Sequence, residues 1–375
     1  MKATLTALSL ALSLAIMFCG CDSDKGAVDT PANRPPTITS DSTAEATGGV
    51  YFAYHAAYTD PEGRIDSLVF AGLPSWLAAA RDSVFGVPPD GLGDTGFTVI
   101  VYDGRAADSL RVTVTMIPCI LVYGDSRTDH VVHQALVDSM LPLRPAAVFH
   151  SGDLVADGSI PDQWATFNTI TADLRATADF YPALGNHENQ SALFFSNFEL
   201  PNNEQWYSVD CNKTHFIILN SCVAVDTASE QYRWLVSDLA SIPDSITFTV
   251  AVFHHPPYST GSHTEDEKGL RSVWVPLFEQ YGVDVVFNGH DHDYERSFCG
   301  GIYYVVTGGG GAPLYDQTRQ HPCSQLFLKT YHFCKLSMIG GRLIVKVYDQ
   351  TRHLIDQFEV AAGALVKSRA LSPAD

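Results

Sequence analysis

Five apolar runs in this 375-residue chain each end in side chains that bind metal ions. Ile120-Leu121-Val122-Tyr123 leads into Gly124-Asp125, and Val148-Phe149-His150-Ser151 into Gly152-Asp153. Pro182-Ala183-Leu184 leads into Gly185-Asn186-His187-Glu188, and Val250-Ala251-Val252-Phe253 into His254-His255-Pro256. Asp284-Val285-Val286-Phe287 passes through Asn288 into Gly289-His290-Asp291-His292. Carboxylate, amide and imidazole donors in this mixture suit iron, zinc or manganese, and no thiolate stands among them. Singly, Gly-Asp or Gly-Asn-His is an ordinary turn. His290 and His292 say more, because side chains at i and i+2 share one face of an extended chain.

Five such ends make one site only if the fold delivers them to one place. The apolar runs at 119–123, 146–150, 181–184, 216–219, 248–253 and 283–287 are near-continuous, as strands covered on both faces are. Between them Val132, Leu136 and Met140 recur at four-residue spacing after Asp129, as do Leu235 and Leu239 after Ser229, and Val273, Leu277 and Tyr281. This is helical periodicity behind capping residues. Strands alternating with helices make an α/β layered core, and ligands of open α/β sheets gather beyond the carboxyl ends of the strands. Glycine flanks four of the five ends, so the backbone can turn sharply there. Strands resume at 302–306, 326–339 and 343–348. The run Gly308–Gly311 lacks the Lys-Ser/Thr of a nucleotide phosphate loop and is expected to let backbone pass close to the site.

The ordered set Asp125, Asp153, Asn186-His187, His254-x-Pro256 and Gly289-His290-x-His292 resembles the calcineurin-like metallophosphoesterases, from residue 119 to about 360. Within that superfamily, GHDHDYER at 289–296 resembles the last motif of purple acid phosphatases. The resemblance implies a four-layer α/β/β/α sandwich and a two-metal site. Asp153 would bridge the ions; Asn186, His254 and His290 would hold one, and Asp125 and His292 the other. His254 rather than His255 takes its role as the histidine of His-x-Pro. His187 corresponds to the family's general acid, which protonates the departing alkoxide. Two positions depart from the family. Its first motif reads Asp-x-His where this chain has Asp125-Ser126-Arg127, and purple acid phosphatases carry tyrosine where this chain has Ala156. Arg127 is a candidate phosphate clamp through its planar fork. His255, Tyr258, Asp291 and Asp293 are candidates for orienting ligands or lining the pocket.

The activity so implied is hydrolysis of phosphomonoesters by hydroxide generated at two metal ions, in line and without a covalent intermediate. A phosphodiesterase or nucleotidase would use the same site. A different reading is an adhesion or glycan-binding lipoprotein whose metal site is degenerate.

Composition sets outer bounds. With 46% apolar and 17% charged residues the chain buries a real core. Its formal charge of −19 opposes polyanions, so nucleic acid is not its main partner. Met1-Lys2 precedes an apolar run over 3–18, the pattern of a secretory signal. Phe18-Cys19-Gly20-Cys21 resembles a bacterial lipobox, implying an exported, membrane-anchored lipoprotein, periplasmic or at the cell surface, with its lipid on Cys21. Residues 22–36 read as a linker. Residues 37–117, with strand-like runs at 50–58, 66–71, 83–87, 97–102 and 109–116, read as a small β-sandwich resembling bacterial Ig-like modules. Residues 118–362 read as the catalytic domain and 363–375 as a tail. In an oxidising compartment Cys119, Cys211, Cys222, Cys299, Cys323 and Cys334 favour disulfides, with Cys211–Cys222 and Cys299–Cys323 expected from proximity.

Overall fold

The structure, a computed structural model, describes residues 32–362. The expected signal segment with Cys19 and the lipidation site Cys21, much of the linker, and the tail lie outside the described residues. Between Thr37 and Met116 the regular elements are all strands. Thr43–Ala46, Ala107–Met116, Thr95–Tyr102 and Ser67–Ala71 form one sheet, and Phe52–His55, Ser83–Gly86 and Leu77–Ala80 a second. Inward residues alternate with exposed ones: Phe52 and Tyr54 are buried while Ala53 and His55 are exposed. Phe97, Val99, Val101, Val112 and Val114 complete a core common to both sheets. Asp103 closes the hairpin between the two longest strands, its Oδ1 accepting from the amides of Arg105 and Ala106 at 2.7 and 2.6 Å. The strands TAEA (43–46) and LAAA (77–80) are alanine-rich. Pairing with stronger neighbours, rather than their own preference, holds them extended.

From Ile120 onward two mixed sheets pack face to face. The first has the order Asp179–Pro182, Ala147–His150, Ile120–Tyr123, His332–Ile339, Arg342–Asp349, Leu354–Ala361. The second has the order Tyr207–Cys211, Thr214–Ile218, Phe248–Val252, Val285–Asn288, Ile302–Thr307, Tyr294–Cys299, Ser324–Leu328. The period of two explains the continuous apolar runs: Ile120 and Val122 point between the sheets, whereas Leu121 and Tyr123 point outward beneath helices. Phe149 of one sheet stacks on Phe216 of the other, centroids 4.1 Å apart. Helices His130–Met140 and Pro161–Thr177 cover the first sheet, and Glu230–Ser241 and Val275–Tyr281 the second. The architecture is the expected four-layer α/β/β/α sandwich, preceded by a small all-β region. Among the described residues no helix is long and apolar enough to cross a membrane.

Local chemistry sets the helix starts. Asp129 Oδ1 accepts from the amides of Val131 and Val132, both at 3.1 Å, and Ser229 Oγ from that of Tyr232. Three sequence expectations change. The run 326–339 is two strands, Ser324–Leu328 and His332–Ile339, one in each sheet, because the chain crosses from one layer to the other at 329–331. The helix expected through Val273, Leu277 and Tyr281 is two short ones that meet at Trp274, just before Pro276. Cys299 and Cys323 are bonded as expected, but Cys211 and Cys222 are free. A hairpin explains why: Cys211 ends one strand beside the turn, opposite Thr214, and Cys222 lies past the far end of the returning strand. Cys119 and Cys334 are buried, their thiols pushed up by desolvation to about 11 and 12.

The β region is fastened to the sandwich by a buried cation. Lys335 ion-pairs with Asp90 and donates to Gly48 O at 2.8 Å, while Lys346 donates to Gly49 O at 2.6 Å. Removing one partner strands the other charge, which costs about 3–5 kcal/mol in such settings. Asp90→Ala is therefore expected to destabilise by about 3 kcal/mol in chemical denaturation, and Lys335→Met by clearly less.

Candidate metal centre

Parallel pairing aligns the strands that carry the motifs. Ile120–Tyr123, Ala147–His150 and Asp179–Pro182 run parallel in the first sheet, and Thr214–Ile218, Phe248–Val252 and Val285–Asn288 in the second. Their carboxyl ends meet, and beyond them lie Asp125, Asp153, Asn186, His187, His254, His290 and His292. Three of these residues take left-handed backbone: Asp125 at φ 56°, Asp153 at 58° and His290 at 71°. Such conformations cost about 1–3 kcal/mol each and persist where surrounding structure imposes them. Gly185 and Gly289 are required by close approach, since a Cβ on either would overlap Asp153 Oδ1 or Asp125 Oδ2.

The tautomers of His254 and His292 follow from the hydrogen bonds their outer nitrogens make. His254 Nδ1–H donates to Ser151 O at 3.0 Å, so Nε2 carries the lone pair. That lone pair faces Asn186 Oδ1 at 3.0 Å and Asp153 Oδ1 at 3.4 Å. His290 Nδ1 lies 3.1 Å from Asn186 Oδ1, and its Nε2 faces Glu267 Oε2 at 3.4 Å without a hydrogen bond. His292 Nδ1–H donates to Pro313 O at 2.8 Å, leaving Nε2 opposite Asp125 Oδ1 at 3.5 Å. Burial keeps these rings neutral, holding His254 and His290 at about 3 and His292 at about 4. Burial, with Asp153 next to it, pushes the Asp125 carboxyl well above its ordinary range.

At His254 a bare acceptor thus faces the Asn186 oxygen, which is repulsive without a cation between them. Two overlapping donor sets fit such cations: Asp153, Asn186, His254 and His290 in one, and Asp125, Asp153 and His292 in the other. The centre is a two-ion one, and its O and N donors leave iron, zinc and manganese as the fitting metals. A further grouping of Cys299, Cys323 and His321 offers no thiolate, the cysteines being bonded to each other.

Around this centre the structure places the other expected residues. His187 Nδ1 is 2.6 Å from Ala156 O, so Nε2 faces inward, 3.7 Å from Asp153 Oδ2. Arg127 Nε lies 3.4 Å from Asp153 Oδ2. His255 lies behind the centre, against Ser221 Oγ at 2.8 Å and Glu267 Oε1 at 3.3 Å. Asp291 accepts from His263 and Ser259, which outweighs its burial and holds its carboxyl at about 2. Tyr294 and Arg296 both bind Asp356, bracing the histidine loop. Asp293 is fully buried at the end of that loop, and Tyr258 packs against Arg271 and Tyr304 rather than into the centre. The Gly308–Gly311 run passes close to Asp125 and Gly124, as expected.

Three residues escaped the sequence reading. Glu188, fully buried, accepts from the amides of Asp153, Leu154, Val155 and Gly185 at 2.7–3.3 Å, tying two motif loops together. Burial, then Asp153, pushes its carboxyl up to about 8 against the amides of Gly185, Val155 and Asp153. His263 stacks on His290 at 3.7 Å and is raised by its hydrogen bond to Asp291. Glu267 stands between His255 and His290. Glu188 adjoins a motif and was visible as such; His263 and Glu267 sit in a polar loop with no strand before them. Glu188→Gln replaces acceptor lone pairs by N–H groups facing backbone N–H. It is expected to lower metal affinity about 10–100-fold with little change of fold, as read by metal analysis and circular dichroism.

Residues 120–294 match the family described as calcineurin-like phosphoesterase. The chain is 32% identical over 172 residues to purple acid phosphatase 15 of Arabidopsis thaliana, covering 40% of this chain and 32% of that protein. With a purple acid phosphatase of Glycine max it is 28% identical, covering 47% of this chain and 43% of that one. The chain therefore spans about a third to a half of the length of the curated relatives it matches. The structure of purple acid phosphatase PPD1 from yellow lupin (Lupinus luteus) seeds superposes with a TM-score of 0.59 at 17% identity. That superposition covers 83% of this chain and 69% of that one. GAP50, the anchor in the inner membrane complex of Plasmodium, has a TM-score of 0.53 at 16% identity, covering 65% and 88%. Both share the fold. The chain thus carries a calcineurin-like metallophosphoesterase domain.

Proposed function

We propose that this protein is an exported metal-dependent phosphatase that hydrolyses small phosphomonoesters. The reading rests on one observation above all: two sets of oxygen and nitrogen donors share Asp153 at the meeting point of five strand ends. The match of this region to phosphoesterases, and of the chain to proteins named purple acid phosphatases, supports it. When bound, two metal ions in such a site polarise a phosphoryl group and acidify water.

The chain's own residues do the rest. Asp125, Asp153, Asn186, His254, His290 and His292 hold the ions, and the buried, neutral imidazoles leave their lone pairs free for that task. Arg127 presents N–H groups to phosphoryl oxygens. His187, anchored through Nδ1 to Ala156 O, holds a proton on Nε2 for the leaving oxygen. His263, set by Asp291, stands over His290 where the ester group would enter. The surplus of acidic residues repels polyanions, favouring small esters.

Residues 1–21 would direct export and supply the lipid attachment at Cys21. Residues 37–117 would then form an Ig-like spacer that carries the catalytic unit, 118–362, away from the membrane. The Cys299–Cys323 bond suits an oxidising compartment.

Rates on an alkyl phosphate, p-nitrophenyl phosphate and its bis-ester test the reading. Asp153→Ala is expected to lose both activity and metal. His187→Ala is expected to slow the alkyl ester by about 10²–10⁴-fold and the nitrophenyl ester far less, because nitrophenolate leaves without a proton. Full activity in both variants would overturn the site assignment, and a faster rate on the bis-ester would overturn the monoester preference.

A further inference from the structure

The first motif places an arginine where the family pattern has a histidine, and both of that arginine's close partners are donor atoms of the centre. Arg127 Nη2 lies 3.3 Å from His292 Nε2, and Nε lies 3.4 Å from Asp153 Oδ2, with the side chain only 15% exposed. Since His292 Nδ1–H is committed to Pro313 O, Nε2 is the acceptor and the guanidinium donates to it. Tyr315 stacks on the His292 ring at 4.1 Å, fixing it in that orientation. A guanidinium stays charged and has no lone pair. It donates to His292 Nε2 and ion-pairs with Asp153 without ligating anything.

The two halves of the centre are therefore unlike. Around Asn186, the bare Nε2 of His254 faces Oδ1 with no protein cation between them. Around Asp125 and His292 a positive charge is already built in. An ion entering there must take His292 Nε2 from Arg127 and then sit beside a like charge, which is unfavourable over a few ångströms. Phosphate can relieve that conflict, because its oxygens match the planar fork of arginine and draw it by charge-assisted hydrogen bonds.

We propose that Arg127 is a resident cation competing with metal for the Asp125–Asp153–His292 set, so that the second ion binds weakly until a phosphate group draws Arg127 away. This rests on the two-ion reading above and adds an order to it: first ion, then phosphate and second ion together. Coupling of this kind is reciprocal, so the second ion also tightens phosphate.

Equilibrium dialysis of the holoprotein's metal-free form against manganese(II), with and without inorganic phosphate, tests it. Electron paramagnetic resonance distinguishes an isolated ion from a coupled pair. The unmodified protein is expected to bind one equivalent at least about ten-fold more tightly than the second, with phosphate narrowing the gap. In Arg127→Ala and Arg127→Gln the second equivalent is expected to tighten about ten-fold or more and to lose its response to phosphate. Arg127→Lys, which keeps the charge, is expected to leave the second site weak and so separates charge from folding. Two equally tight equivalents in the unmodified protein, or an unchanged second equivalent in Arg127→Gln, would overturn the inference while leaving the two-ion reading intact. Failure to bind even one equivalent would overturn both.

Discussion

The crowding of unshared electron pairs around Asp153 is the constraint on which the rest of this structure depends. His254 Nε2 and Asn186 Oδ1 stand 3.0 Å apart with no proton between them, because the only proton on that ring is given to Ser151 O. Hydrogen bonding does not resolve that contact, and the His254 ring itself is fully buried. The surrounding fold accordingly opposes their separation. Glu188 ties the Asp153 and Gly185 loops through four amides. Asp356 braces the strand that follows the histidine loop. Left-handed backbone at Asp125, Asp153 and His290 stores strain in the same place.

That rigidity comes from the layers. Two sheets share an apolar interior in which Phe149 and Phe216 stack, and helices bury each outer face. Each long apolar strand is covered on both sides, so its register is firmly set: a slip of one residue would exchange its inner and outer faces. The same register sets where each strand stops and therefore where its metal donor stands. The small β region attaches through Lys335 and Lys346, contacts that bear on stability and placement.

Much of this is legible in the sequence. Continuous apolar runs mark the strands buried on both faces, and the residues after them are the ones the fold brings together, because a strand end is where side-chain direction and chain position are both constrained. Caps at Asp129 and Ser229 were equally plain. Other features were hidden for physical reasons. The helix Pro161–Thr177 spreads Trp164, Phe167, Ile170 and Leu174 among polar residues and threonines that blur its period. A strand that changes sheets at 329–331 reads as one run, since both halves are apolar. Distance in sequence misled for Cys211 and Cys222, which a hairpin holds apart. His263 and Glu267 reach the centre from a loop, where position depends on tertiary contacts alone. Arg127 was visible as a departure, but only its contacts with His292 and Asp153 show that it occupies part of the centre itself.

A cation belongs between those opposed acceptors, and a crystal structure of the manganese-loaded protein, with an anomalous difference map, tests this directly. A strong peak is expected enclosed by Asp153, Asn186, His254 and His290, with a peak at Asp125 and His292 that strengthens when phosphate is present. A map with no peak beside Asp153, or with manganese bound only elsewhere on the protein, would contradict it.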